Sequence, residues 1–105
     1  MLQSIAQESL QHEPAFVKTY ARALIGSGQF ENAEDFIVTS AIYHSGQTKA
    51  FLEVELAICL HKTARTESGI QLLIPAMPHL TGQDLGIAWS RLGIMRFALN
   101  QSLRV

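Results

Sequence analysis

The residues of this 105-residue chain that could do chemistry are four histidines, one cysteine and a few carboxylates. His12, His44, His61 and His79 stand far apart, in no ligand spacing such as His-Glu-x-x-His. Zinc needs three or four convergent ligands, so no metal site is expected. Cys59 lies in an apolar stretch with no cationic cluster to draw out a thiolate, and reads as packing. Glu53 and Glu55 fall on different sides of one helix and cannot work as an acid–base couple. Of the two, Glu53 occupies a core-like slot but reads as a solvated edge. Gly26-Ser27-Gly28 could cradle a phosphate, yet such a loop wants a strand before it and a Gly-Lys-Ser/Thr ending. Helical spacing (Phe16-Val17, Tyr20-Ala21, Leu24) precedes these glycines and Gln29-Phe30 follows, so a corner between helices fits better. No catalytic residue, cofactor or metal is expected, and the chain reads as a non-enzyme.

Composition narrows the partners. The formal net charge is −1 and the basic residues are scattered, which leaves no electrostatic footprint for nucleic acid. The N-terminus has no positive region followed by an apolar core, so no signal peptide is expected. The longest uncharged run, Ser68 to Gln83, is broken by Pro75, Pro78 and Gly82 and is too short to span a bilayer. One cysteine excludes an internal disulfide framework and fits a reducing cytoplasm. With 48% hydrophobic and only 16% charged residues, the chain is greasy for a free-standing domain. That surplus must be buried somewhere.

The elements that must do the burying are helices. Leu2, Ile5, Ala6 and Leu10 mark a short amphipathic helix over residues 1–12, ahead of one domain over 13–105. Pro14 suits a first helical turn, and the spacing predicts helices over about 14–26, 30–44 and 49–63. Thr66 could cap a shorter fourth helix that Pro75 and Pro78 end. Thr81-Gly82-Gln83-Asp84 resembles a capping box opening a fifth helix to about residue 101. No stretch alternates as a half-buried strand does. The fold class is all-α.

The chain also repeats itself. Registers begun at Pro14, Ala50 and Gly86 place Val17, Glu53 and Trp89 fourth; Tyr20, Leu56 and Leu92 seventh; and Ala21, Ala57 and Gly93 eighth. Ala33 and Gly69 fall twentieth. Large at four and seven and small at eight and twenty is the tetratricopeptide (TPR) pattern, and Trp89-x-x-Leu92-Gly93 matches its opening signature. The expectation is a TPR-like right-handed superhelix of antiparallel helix pairs, about two and a half repeats plus the N-terminal helix. A helical bundle with accidental periodicity is the plainer alternative.

Positions two, five, nine and twelve of the first helix in each pair would line a concave face. In the second and third repeats they give Phe51, Val54, Ile58 and His61, then Ile87, Ser90, Ile94 and Phe97. Helices 49–63 and 84–99 are consequently apolar nearly all round, which requires cover on every side. An amphipathic helix of another chain could supply it, or the last helix could pack back on its own concave face.

The run Ala23-Leu24-Ile25-Gly26-Ser27-Gly28, then Ala33, Ile37, Tyr43-His44 and Gly46, resembles the TPR-like chaperones of the type III secretion needle subunit, the YscG/PscG family. The resemblance is best over about residues 20–75. It implies a chaperone of the bacterial cytoplasm that pairs with a small helical co-chaperone. Together they would hold the needle subunit monomeric by clasping its C-terminal amphipathic helix in the groove of Phe51, Val54, Ile58, His61, Ile87, Ile94 and Phe97. The co-chaperone would dock on the patch of Leu2, Ile5, Leu10, Phe16 and Tyr20. A generic TPR peptide-binding adaptor or regulatory module, which could self-associate, is the other function these features allow.

Overall fold

The structure is a computed structural model; it describes residues 10–103, with side chains to residue 101. The described residues are helical, without a strand. Five α-helices follow in order: α1 Pro14–Gly26, α2 Phe30–Ala41, α3 Gly46–Lys62, α4 Thr66–Ala76 and α5 Gly82–Leu103, with a 3-10 turn Met77–His79 before α5. Successive helices pack on each other, and α3 also touches both α1 and α5. Helices α1, α3 and α5 thus lie side by side, with α2 and α4 inserted between successive members.

The 36-residue spacing is written into the backbone. At the end of α1, Gly28 N–H donates to the Ile25 carbonyl and Gln29 N–H to Leu24, at 3.0 and 2.9 Å. Thirty-six residues later, Ala64 N–H donates to His61 and Arg65 N–H to Leu60, at 3.2 and 2.7 Å. Both are the paired bonds that close a helix through one left-handed residue. The preceding hydroxyl repeats as well: Ser27 Oγ donates to Ala23 and Leu24, and Thr63 Oγ1 to Cys59 and Leu60. Gly28 has φ of +79°, as the corner reading expects of Gly26 or Gly28, and Ala64 has φ of +65° with a side chain in the way.

Helix ends differ from the expected ones for local reasons. α2 stops at Ala41, three residues early, and α3 starts at Gly46 rather than 49, where Gly46 takes φ of +58°. Thr66 does not cap α4. Arg65 holds the cap position, and the Thr66 hydroxyl bonds His61 Nδ1 at 2.9 Å. Pro75 does not stop α4 but sits inside its last turn. Thr81 Oγ1 accepts from the Gln47 amide at 3.0 Å, which joins the start of α5 to the start of α3.

The core is centred on α3. Its Ala50, Phe51, Leu52, Val54, Ala57 and Cys59 are buried with Val17, Ala21, Ile37, Leu73, Leu92 and Met95 from the surrounding helices. The all-round apolar pattern of 49–63 is matched by burial on nearly every side. Gly69 lets α4 approach: a Cβ there would lie 2.7 Å from the Ala57 carbonyl oxygen and 2.9 Å from Met95 Cε. The other apolar helix behaves differently. Only one face of α5, through Ala88, Leu92 and Met95, is buried.

Candidate partner-binding surfaces

The expected groove residues separate into two groups. Phe51 and Val54 belong to the core, and Ile58 is only 7% exposed. The chain covers these three itself, so they offer no open wall. Part of the cover is cationic: Lys18 Nζ and the Arg22 guanidinium of α1 stand 5.0 and 4.6 Å from the Phe51 ring centroid. Ile94 and Phe97, one turn apart near the end of α5, are 53% and 66% exposed. His61 and Ile87 are half-buried. Burial, and then the nearby Lys62 charge, lowers the His61 pKa from the usual imidazole range.

A chain of charges links α1, α3 and α5. The wholly buried Glu55 carboxylate of α3 lies 2.8 Å from Arg91 of α5 and 3.6 Å from Arg22 of α1. Asp84, at the start of α5, approaches Arg22 at 3.6 Å and Lys18 at 4.0 Å. These contacts tie α1, α3 and α5 together across an open pocket of about 330 Å³ lined by Ala15, Lys18, Thr19, Arg22, Phe51 and Asp84. Charged side chains, Lys18, Arg22 and Asp84, stand beside Phe51 in this pocket. Sequence reasoning missed the chain of charges, because Arg22, Glu55 and Arg91 are each unremarkable until the helices align. Glu53, the carboxylate placed in a core-like slot, is only half-buried.

The co-chaperone patch is assembled in part. Leu2 and Ile5 lie outside the described residues. Phe16 and Tyr20 stack with ring centroids 5.5 Å apart, and Phe36 of α2 joins them at 4.6 Å from Tyr20 and 6.3 Å from Phe16. With Gln11 these rings line a pocket of about 130 Å³. Leu10 is exposed, just before Gln11 and His12, a stretch tied to the residues after α2. Its anchors are His44 Nε2, which donates to the Gln11 carbonyl at 2.7 Å, and the His12 and Tyr43 rings, 4.0 Å apart. Phe36 was not singled out from sequence; its place four residues before Ser40 on α2 gave no hint of the α1 rings.

A third surface was not expected at all. Trp89, fourth in its register as the buried Val17 is in the first, is 60% exposed and borders an open apolar cleft of about 410 Å³. Ile74, Met77, Pro78, Leu85, Leu92 and Arg96 complete the lining. Among the described residues, no three His, Cys, Asp or Glu side chains gather as a metal site, and no helix is long and apolar enough to cross a membrane. Compared with models of protein families, with curated proteins and with solved structures, the chain finds no match.

Proposed function

We propose that this chain is a non-enzymatic chaperone of a type III secretion system, working in the bacterial cytoplasm with a small helical co-chaperone. Its cargo is the amphipathic C-terminal helix of the needle subunit, held apart from other copies so that it does not polymerise early. The repeat in this reading is TPR-like, supported by the 36-residue recurrence of the helix-ending bonds at Gly28 and Ala64. The observation that carries the reading is the exposure of Ile94 and Phe97 on α5, where Ile87 is half-buried on the same helix. Large apolar side chains in a row on one helix are what an amphipathic helix meets through its own three- and four-residue spacing. The Phe16–Tyr20–Phe36 rings are the seat of the co-chaperone.

The test is co-expression with a type III needle subunit and a small helical co-chaperone of such a system. A defined complex, with the needle subunit kept monomeric, is the expected result. A chain that purifies alone and leaves needle polymerisation unchanged would end the secretion reading and favour a general peptide-binding adaptor.

A further inference from the structure

We infer that the outer face of α5, centred on Trp89 and Gly93, is a docking site for one helix supplied by another protein chain. The helix runs back along α5 as α4 runs back along α3. The internal repeat is the template. Ala57 of α3 is wholly buried, and Gly69 of α4 comes against its carbonyl so closely that a Cβ would sit 2.7 Å away. The matching residues of the first pair, Ala21 and Ala33, are wholly buried too. Thirty-six residues beyond Ala57 stands Gly93, exposed, where a Cβ would meet nothing within 4 Å. Trp89 is likewise 36 residues beyond Glu53 and 72 beyond the buried Val17, yet open.

A helical glycine with no neighbour to accommodate weakens its helix without a return inside this chain. Gly86 is a second such residue, two turns earlier on α5. Where α1 and α3 end in a left-handed residue at Gly28 and Ala64, the equivalent Asn100 stays helical and α5 runs on to Leu103. No described segment therefore turns back to cover the face. It is the first half of a helix–helix contact that the chain makes twice elsewhere.

The same template states the chemistry of the occupant. The buried residues of α2 are Ala33, Ile37 and Ser40; those of α4 are Gly69, Leu73 and Ala76. Each reads small, then large four on, then small three further. A partner helix carrying that spacing can set its first small residue against Gly93 and its large one toward the cleft beside Trp89. Both α2 and α4 have a glutamate in their first turn, Glu31 and Glu67. A helix running back along α5 begins near Arg96, an exposed cation lining the cleft, so an acidic first turn is favoured there as well. This surface adjoins the proposed cargo seat at Phe97, one turn beyond Gly93 on the same helix, but the inference holds whether or not the secretion reading does.

Trp89 is the sole tryptophan, so its emission reports directly on the face. The probe is a synthetic peptide with the sequence of residues 28–44, which carries the α2 spacing and no tryptophan. Titrated into the full chain, it should give a saturable blue shift of Trp89 emission. Gly93→Leu in the protein, or Ala33→Leu in the peptide, should weaken the effect tenfold or more. The second form of the test joins the same segment after Val105 through a flexible glycine–serine linker, which raises its effective concentration to about the millimolar range. Blue-shifted emission and a raised Tm, both reversed by Gly93→Leu, support the site. An unshifted Trp89 in both formats overturns it, as does a shift indifferent to Gly93→Leu. A chain that already dimerises alone through Trp89 would overturn the assignment to a different protein.

Discussion

The Glu55 carboxylate of α3 is wholly buried 2.8 Å from the Arg91 guanidinium of α5, yet neither of its oxygens accepts a hydrogen bond in good geometry. The two charges attract at short range without the directed bonds that normally offset desolvation. Removing one partner leaves the other stranded, so Glu55→Ala should cost about 3–5 kcal/mol. Replacing both, as Glu55→Leu with Arg91→Leu, should recover most of that loss or exceed the parent in stability. Urea unfolding of Glu55→Leu, Arg91→Leu and the double tests this; additive losses would show that the pair is not coupled.

The corners offer a matched pair of backbone tests. Gly28 and Ala64 hold the same left-handed conformation in the same bond pattern, but only Gly28 holds it without steric conflict. An L-residue there costs roughly 1–2 kcal/mol, against which glycine loses about 0.5–1 kcal/mol more entropy on folding. Gly28→Ala should therefore destabilise by about 1 kcal/mol, and Ala64→Gly should stabilise by up to about that amount. Opposite shifts in the urea midpoint are expected; a destabilising Ala64→Gly would mean that its methyl packs usefully.

Two other glycines part company. Gly69→Ala drives a methyl to 2.7 Å from the Ala57 carbonyl oxygen, a backbone atom, and should cost about 1–3 kcal/mol as α4 is pushed from α3. Gly93→Ala meets open space in the middle of α5 and should add about 0.8–1 kcal/mol from helix propensity alone. Thermal unfolding of the isolated chain decides both. A destabilising Gly93→Ala would show that α5 packs more closely than the open face allows.

How much of this was legible depends on range. The corners, the helical spacing and the small residues Ala33, Ala57 and Gly69 are local or periodic signals, and the repeat brought them out. Whether an apolar helix is covered depends on what surrounds it. Helices α3 and α5 have similar apolar patterns, but α3 is flanked by α1, α2, α4 and α5, whereas α5 packs chiefly on α4 and α3 and reaches α1 only through the Asp84 ion pairs. So Phe51, Val54 and Ile58 are buried while Trp89, Ile94 and Phe97 stand open. The ionic chain was beyond reach for the same reason. Arg22, Glu55 and Arg91 are 33 and 36 residues apart, and only the stacking of three helices puts them together.

Cys59 connects that buried charge to pH. Burial first, and the Glu55 charge second, push its thiol from 9.0 up to about 11. Between those values the unfolded chain has lost the proton that the folded chain keeps. Stability is therefore full below about pH 9 and falls as pH rises toward about 11. Cys59→Ala should remove this part of the alkaline loss, read as a shallower decline in the urea midpoint over that window. At pH 8 the native thiol should react with an aromatic disulfide only as fast as the protein opens; prompt labelling would show a thiol that is neither buried nor protonated.

The division between covered and open apolar residues makes the last prediction the most discriminating. Ile58 is 7% exposed, and an aspartate there would be desolvated with no cation assigned to it. An unpaired buried charge costs several kcal/mol or more, comparable to the whole stability of a domain of about 5–15 kcal/mol. Ile58→Asp should abolish helicity rather than merely block binding. Ile94→Asp, on a side chain 53% exposed, should leave helicity and Tm close to the parent. In the proposed chaperone it should still eliminate capture of the needle subunit's C-terminal helix. Phe97→Ala should weaken that capture about 10- to 30-fold, as expected for truncating an aromatic anchor worth about 2 kcal/mol at 1.4 kcal/mol per decade. Circular dichroism and titration with a peptide of the cargo helix separate the cases. Full-affinity binding by both Ile94→Asp and Phe97→Ala would remove this end of α5 from the cargo seat.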